Sequence, residues 1–256
     1  MNESGKIFTL KPAIIILALL IRTIALSQEH PKKTSYGNQQ WLQYYNKLKL
    51  SEKYTLVSDA SLRLKDYFAS YNQALLRTGI MYNFRENISV TCGIASTVSF
   101  NANKMNRGEL RGWQELFLSS RISRLYLNNR FRLEERYFKN ITNDNFDNGY
   151  NFNYRFRYRF FVSIPINNST IKEKTLSVNM GDEIFINFGK EIIYNTFDNN
   201  RILLGINYHF NNKQFITLNY VNQLTHTKAL NTYEKTDILW LSFTHTLGLK
   251  EKSKEK

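Results

Sequence analysis

The sequence has few of the residues that form disulfides, interrupt secondary structure or commonly act in catalysis. It has one cysteine, three prolines and four histidines in 256 residues. A lone Cys92 cannot form a disulfide within the chain. No histidine or cysteine spacing is typical of a metal site, and no serine stands in a recognisable nucleophile context. We therefore expect no metal, no cofactor and no enzymatic activity.

Long apolar runs are also scarce, because the sequence has one such run, Ala13 to Ile21, and Arg22 ends it. That run is shorter than the roughly 20 residues that a helix needs to cross a bilayer. Two lysines precede it, and Ala25 and Ser27 supply the small residues of a cleavage site. This pattern predicts a secretory signal peptide rather than a membrane anchor.

What the sequence does contain is aromatic residues, with 16 tyrosines and 18 phenylalanines, which favour strands. Between Asn151 and Phe161 aromatic residues alternate with arginines, and alternate side chains of a strand point to opposite faces. One face carries Phe152, Tyr154, Phe156, Tyr158 and Phe160, and the other carries Arg155, Arg157 and Arg159. This separation is typical of a barrel wall with hydrocarbon outside and water inside.

The same alternation extends along most of the chain. The predicted strands cover 54–65, 71–84, 87–100, 110–119, 122–138, 150–164, 174–187, 200–210, 213–225 and 236–249. In the strand 87–100, small polar residues such as Ser89, Thr91 and Thr97 would face inward. In the strand 122–138, leucines and Phe131 oppose four charged residues.

The links between these strands suggest which end of the barrel is which. Tight links are predicted near Leu50, Arg85, Ser120 and Asn212, and a longer one at 165–174. The longer polar links are predicted at 66–70, 101–108, 139–149, 188–199 and 226–234. Such alternation is typical of short periplasmic turns and longer extracellular loops.

Single-chain bacterial barrels have an even number of strands, so the sequence predicts ten or twelve. The candidate strand Gln39 to Leu48 would make eleven. It would therefore either pair with a further strand within 32–38 or lie outside the wall.

The inward charges are the candidate functional residues. They are Arg63, Arg77, Glu115, Arg130, Arg132, Glu134, Arg136, Arg155, Arg157, Arg159, Glu183 and Arg201. They could form a salt-bridged filling of a narrow barrel, or a basic constriction that favours anions. A further set of aromatic residues is predicted to form the girdle at the membrane surface: Trp41, Tyr44, Tyr45, Tyr82, Tyr208 and Trp240.

The formal net charge of +14 raises the question of nucleic-acid binding. A platform for single strands places basic and aromatic groups on one surface, whereas alternation separates them here. We therefore expect no nucleic-acid partner.

Several short motifs follow one another along the sequence. They are Trp41 with Tyr44, Arg111-Gly112-Trp113-Gln114-Glu115-Leu116, Arg130-Phe131-Arg132-Leu133-Glu134-Glu135-Arg136, Arg155-Phe156-Arg157-Tyr158-Arg159, Asp182-Glu183-Ile184-Phe185 and Asn199-Asn200-Arg201. Together they resemble a family of Gram-negative envelope proteins catalogued as domain of unknown function 2490. The resemblance implies an outer-membrane β-barrel without an assigned activity.

The sequence thus predicts an all-β protein, a transmembrane antiparallel β-barrel of about 10–12 strands in the outer membrane of a Gram-negative bacterium. The predicted segments are a signal peptide 1–27, a short polar segment 28–38, the barrel 39–249 and a charged tail 250–256. The expected partners are outer-membrane lipid, the barrel-assembly machinery and small anionic solutes. The expected role is a narrow pore with a basic lumen, and the alternatives are a closed barrel that acts as a scaffold or binder, or an embedded hydrolase.

Overall fold

The computed structural model describes residues 32–143 and 145–248. The predicted signal peptide and charged tail lie outside these residues. The barrel belongs to the compact unit that begins at Thr34, and of the unit that ends at Lys33 only Lys32 and Lys33 are described. No helix in the described part of the chain is long and apolar enough to cross a membrane.

The described residues form strands joined by turns and loops. The strands are β1 Lys33–Lys49, β2 Tyr54–Lys65, β3 Ser70–Arg85, β4 Ile88–Asn101, β5 Lys104–Ile122, β6 Leu125–Thr142, β7 Asn145–Phe146, β8 Asn151–Pro165, β9 Thr175–Phe188, β10 Phe197–Asn211, β11 Gln214–His226 and β12 Thr232–Gly248. The two-residue β7 pairs only with the end of β6. The other eleven strands form the wall.

These eleven strands close into a barrel. Their order is β5-β4-β3-β2-β1-β12-β11-β10-β9-β8-β6, and β5 also pairs with β6. The neighbours in sequence are antiparallel, from β1 with β2 to β11 with β12. The closing pair β1 and β12 is parallel, because its contacts advance together along both strands: Trp41 packs on Trp240 and Tyr44 on Phe243. The predicted all-β barrel is therefore confirmed.

The predicted even number of strands is wrong. An odd number of alternating strands leaves the first and last pointing the same way, and the parallel pair of β1 and β12 accommodates them. Both alternatives for Gln39 to Leu48 are wrong as well, because this segment lies inside the continuous strand β1. It pairs with β2 in register from Gln39 with Lys65 to Lys49 with Thr55.

The two ends of the barrel carry different links. We call the end with the links after β2, β4, β6, β9 and β11 the loop end, and the opposite end the turn end. Three links at the loop end, 143–150, 189–196 and 227–231, have five or more residues. The turn end has one long link, 166–174, and two-residue links after β3, β5 and β10.

The long link predicted at Asn101 to Gly108 is wrong. Pairing of β4 with β5 continues to Asn101 with Lys104, so only Ala102 and Asn103 remain in the turn. Both have positive φ angles, 48° and 61°. Two such residues form the tight hairpin turn whose twist matches that of the flanking strands.

The distribution of polarity is the reverse of that in a soluble domain. Among the described residues, 31 polar or charged residues are buried and only eight hydrophobic ones are. Forty large hydrophobic side chains are exposed. In β4, for example, Ser89, Thr91 and Thr97 are buried while Cys92 and Ile94 are exposed, as the alternation predicts. The barrel therefore has a polar interior and an apolar outer face.

Candidate functional site

The interior is organised around a carboxylate on β6, Glu134, which has no exposed surface. Arg155 donates to its Oε2 from Nε at 2.8 Å, and Arg157 donates to its Oε1 from Nη1 at 2.8 Å. Arg111 donates to Oε1 at 3.3 Å, and Arg132 places Nη1 3.9 Å away. One buried carboxylate thus joins guanidinium groups from three neighbouring strands, β5, β6 and β8.

A second carboxylate, Glu183 on β9, extends these contacts to the next strands. Arg157 donates to it from Nη2 at 2.7 Å, so this arginine bridges Glu134 and Glu183. Arg130 forms a further short ion pair with Glu183. Arg201 on β10 lies 4.0 Å from its Oε2.

Three further carboxylates complete the connected set of ion pairs. Those of β5 pair with arginines of β6: Glu109 accepts from Arg136 at 2.8 Å, and Glu115 accepts from Arg132 at 2.7 Å and lies 3.6 Å from Arg130. We call the connected set the charge network; its members are Glu109, Arg111, Glu115, Arg130, Arg132, Glu134, Arg136, Arg155, Arg157, Glu183, Asp198 and Arg201. Because five carboxylates face seven arginines, the network keeps a positive excess.

Three buried aromatic rings lie among these arginines. Arg155, Arg157 and Arg201 surround the ring of Phe185, with Cζ at 5.4, 4.4 and 4.5 Å from its centre. Arg132 and Arg77 lie on Trp113 at 4.6 and 5.5 Å, and Arg63 and Arg201 lie on Trp41 at 4.0 and 4.9 Å. Such stacking attracts a guanidinium to a ring and fixes its plane.

The structure brings together most of the predicted charged residues. Nine of them are in the charge network, and Arg77 pairs separately with Asp59 at 2.7 Å. Arg63 and Arg159 instead stack on Trp41 and Phe161 and form no ion pair with a carboxylate of the described residues.

Sequence reasoning missed four charged partners: Asp59, Glu109, Arg111 and Asp198. Asp59 lies an even number of residues from Arg63 in β2, so parity alone could have identified it. Glu109 was missed because the predicted strand began at 110, whereas β5 begins at Lys104. Arg111 lies within the predicted strand at the same parity as Glu115, so alternation could have identified it.

The girdle prediction is wrong for Trp41, Tyr45 and Trp240, which line the interior. Trp41 is only 2% exposed. For Trp41 the reason is physical, because Arg63 and Arg201 lie on its ring as cation–π partners, and Trp240 in turn packs on Trp41. Tyr44 and Tyr208 do point outward, as predicted.

An apolar layer lines part of the interior next to the charge network, and its Leu203 lies two residues from Arg201 towards the turn end. It consists of Trp41, Phe161, Leu203, Val221, Ile238 and Trp240. Leu203, Val221 and Ile238 lie side by side in register on β10, β11 and β12. Val221 and Ile238 have no exposed surface.

The remaining interior towards the turn end contains small uncharged polar residues. In the row Ser177, Asn207, Thr217 and Ser242, each residue is in register with the next. Thr217 donates to Asn207 at 2.6 Å. One row above, Asn179 donates to Asn219 at 2.7 Å. We call the residues Ser163, Ser177, Asn179, Asn207, Thr217, Asn219 and Ser242 the polar region.

Above the apolar layer, a cavity of about 280 Å³ lies within the charge network. Nine arginines and four carboxylates line it, with Trp41, Trp240 and Phe185 among the lining residues. Four of the lining residues lie close to the strand ends at the loop end: Arg107, Asp198, Thr225 and Glu234. We call this cavity the basic pocket.

No histidine of the described residues lines the basic pocket. His209 stacks on Phe215, and His226 stacks on Tyr233. The expectation that His226 lies in a loop is wrong, because it is the last residue of β11. Within the described ranges, no group of three or more histidine, cysteine, aspartate and glutamate residues could hold a metal ion.

Comparison with known families gives a match over most of the barrel. The family model described as "Protein of unknown function (DUF2490)" matches residues 38–234. The comparisons with curated proteins and with solved structures found no match.

Proposed function

The chain belongs to the DUF2490 family of proteins of unknown function, and we propose that it is an integral outer-membrane β-barrel whose interior is closed. In this proposal the protein is a non-enzymatic binder or scaffold, and the basic pocket opens only to the loop end. Its partners are outer-membrane lipid and the machinery that assembles barrels. The predicted signal peptide supports export from the cytoplasm.

The observation that carries the proposal is the reversed polarity of the wall. Water would solvate the buried arginines, glutamates and asparagines well, whereas the forty exposed hydrophobic side chains would be costly to hydrate. A lipid bilayer would instead solvate the apolar outer face, while the polar side chains remain inside the barrel. A closed barrel also leaves no unpaired sheet edge, which hydrocarbon cannot solvate.

The height of the apolar outer face fits a membrane. On β10 the outward residues from Ile202 to Phe210 are all large, hydrophobic and exposed. Eight residues of strand extend about 26 Å, and a tilt of about 40° reduces this to about 20 Å across a bilayer. That height is close to the apolar band of about 25 Å found on outer-membrane barrels.

Outward polar residues lie at the border of this band and satisfy one another. Asp182 accepts from Asn200 at 2.9 Å. Asp237 accepts from Asn222 at 2.9 Å and from Tyr220 at 2.6 Å. Paired groups of this kind fit the headgroup region, where the bilayer becomes polar.

The closed interior is supported by the charge network and the apolar layer. Arg155 places two nitrogens on one oxygen of Glu134, and Arg157 places two on one oxygen of Glu183, so these charge-assisted contacts fix the central side chains in place. The aliphatic members of the apolar layer, Leu203, Val221 and Ile238, offer no hydrogen bonds to a hydrated ion. An open anion pore, the alternative drawn from the sequence, would require these side chains to leave the centre of the barrel.

The native Cys92 offers a direct test of the membrane topology. It is the only cysteine in the sequence, and it is exposed on the outer face of β4. A fluorophore attached to it should be quenched by lipids that carry a spin label on the acyl chain. The matched control is Cys92→Ser with Ser51→Cys, since Ser51 lies in the exposed link between β1 and β2.

The label at position 51 should instead be quenched by iodide in the buffer. The folded protein should also partition with the outer membrane and change its electrophoretic mobility on heating. A Cys92 label that iodide reaches and lipid does not would overturn the proposal, as would a monomer that folds without detergent or lipid.

A further inference from the structure

We propose that the basic pocket binds a small dianionic oxyanion, a phosphate or paired carboxylate group that enters from the loop end. The inference rests on the proposed closed barrel and deepens it by naming a ligand class. Three features of the pocket carry it: uncompensated charge, unused guanidinium donors and limited size.

The first feature is an excess of positive charge. Nine arginines and four carboxylates line the pocket. Adding the interior Arg132, Arg159, Asp59, Glu115 and Glu134 gives eleven arginines and seven carboxylates, which leaves an excess of four positive charges. Uncompensated charge away from bulk water is costly, and one or two bound dianions would offset it.

The second feature is a pair of guanidinium groups, one from β2 and one from β10, that share one aromatic ring. Arg63 and Arg201 both stack on Trp41, at 4.0 and 4.9 Å. The Nε of Arg63 has no hydrogen-bond partner. Arg201 donates its Nε to Gln223 at 2.7 Å, and its nearest carboxylate, Glu183, is 4.0 Å away.

This arrangement suits an oxyanion better than a structural role. A stacked guanidinium has a fixed plane, and its donors match the spacing of two oxygens in a phosphate or carboxylate. Each arginine of the charge network is already paired with a carboxylate, whereas Arg63 has none among the described residues. An oxyanion at this point would complete its hydrogen bonding.

The third feature is size and access. A cavity of about 280 Å³ equals the volume of roughly nine waters at 30 Å³ each. It holds a phosphate, a phosphomonoester or a small dicarboxylate and is too small for a polymer. Because the lining residues Arg107, Asp198 and Glu234 lie near the loop end, we expect the ligand to enter and leave on that side.

The test is a binding titration of the full-length barrel, without its signal peptide, folded in detergent. The probes are inorganic phosphate and succinate, each at constant ionic strength against chloride. Calorimetry measures the affinity, and the fluorescence of Trp41 and Trp240 reports occupancy of the pocket. We expect saturable binding of at least one dianion and no saturable binding of chloride; the stronger of the two probes identifies the phosphate or the carboxylate class.

Arg63→Gln removes the unpartnered guanidinium and should weaken dianion binding at least about tenfold, since a charge-assisted hydrogen bond is lost. The matched control is Arg85→Gln. Arg85 is exposed at the turn end of β3, away from the basic pocket, so this substitution should leave the affinity unchanged. If Arg63→Gln does not fold, Arg107→Gln at the rim replaces it, with a weakening of about threefold or more expected from the lost charge.

The inference would be overturned if neither dianion bound saturably. It would also be overturned if Arg63→Gln and Arg107→Gln bound the dianion as tightly as the control Arg85→Gln. In either case quenching of the Cys92 label by lipid would show that the membrane barrel itself stands. Failure of that quenching would count against the proposed function instead, whatever the titration gives.

Discussion

The charge network and the polar region fill the same barrel by different means. In the charge network, one carboxylate, Glu134, contacts four arginines, and one arginine, Arg157, bridges two carboxylates. In the polar region the contacts are local pairs such as Asn179 with Asn219. Both regions follow the same inward alternation, yet they couple the strands to different extents.

This difference teaches how an inside-out barrel is stabilised. Long charged side chains reach across several strands, so removing one member leaves several others buried without a partner. Short amides and hydroxyls reach the adjacent strand or, where Gly205 leaves space as between Asn179 and Asn219, the next one. Each loss is therefore confined to one hydrogen bond. We therefore expect strongly coupled substitutions in the charge network and nearly additive ones in the polar region.

The largest effect is expected for Glu134→Gln. The substitution keeps the shape of the side chain but removes the charge that four buried arginines share, and it should lower the free energy of unfolding by about 3–5 kcal/mol. Urea unfolding of the barrel in detergent micelles measures this. The matched control is Glu135→Gln, because Glu135 is the next residue, points outward and accepts a hydrogen bond from Gln114 instead of from an arginine.

That control should change stability by about 0.5 kcal/mol or less. Equal losses for the two variants would show that the network does not hold the barrel together.

A smaller effect is expected for Gly93→Ala, which tests the ring that carries Arg132 and Arg77. A Cβ at position 93 would lie 2.1 Å from the backbone oxygen of Thr78 and 2.9 Å from the ring of Trp113. Backbone cannot yield cheaply, so we expect a loss of about 1–3 kcal/mol in urea unfolding. A shift of the Trp113 emission should accompany it.

Gly112→Ala on the next strand is the matched control. There the new Cβ would meet only the end of the flexible Glu135 side chain, at 2.9 Å. Since that carboxylate can move, the stability should hardly change. A loss as large as that of Gly93→Ala would argue against close packing of Trp113.

The smallest effect is expected in the polar region. Asn179→Ala should cost about 1–2 kcal/mol, because it leaves the buried Oδ1 of Asn219 without its donor. A double-mutant cycle with Asn219→Ala should give a coupling of about 1 kcal/mol. The same cycle on Glu134→Gln and Arg157→Gln should give a larger coupling energy. A smaller one would show that the charge network couples the strands less strongly than the polar region does.

Period-two alternation was enough to predict the barrel and most of its inward charges. In β6 and β8 arginines and glutamates occupy every second position, so parity alone assigns them to one face. The partners of each arginine were beyond the sequence, because they depend on the register between strands, such as Arg132 opposite Glu115.

The parallel closure was also beyond the sequence. It joins β1 to β12 across nearly the whole chain, and no local pattern reports so distant a pairing. The interior position of Trp41 follows from that closure, since its ring packs on Trp240 of the last strand.

The most direct test of the central claim is the conductance of the purified barrel in a planar bilayer. The packed charge network and the apolar layer predict no steady current through the folded protein at any salt concentration in which it remains inserted. A stable ohmic conductance that favours anions, and that falls when Arg157 becomes Ala, would contradict the closed interior and restore the pore.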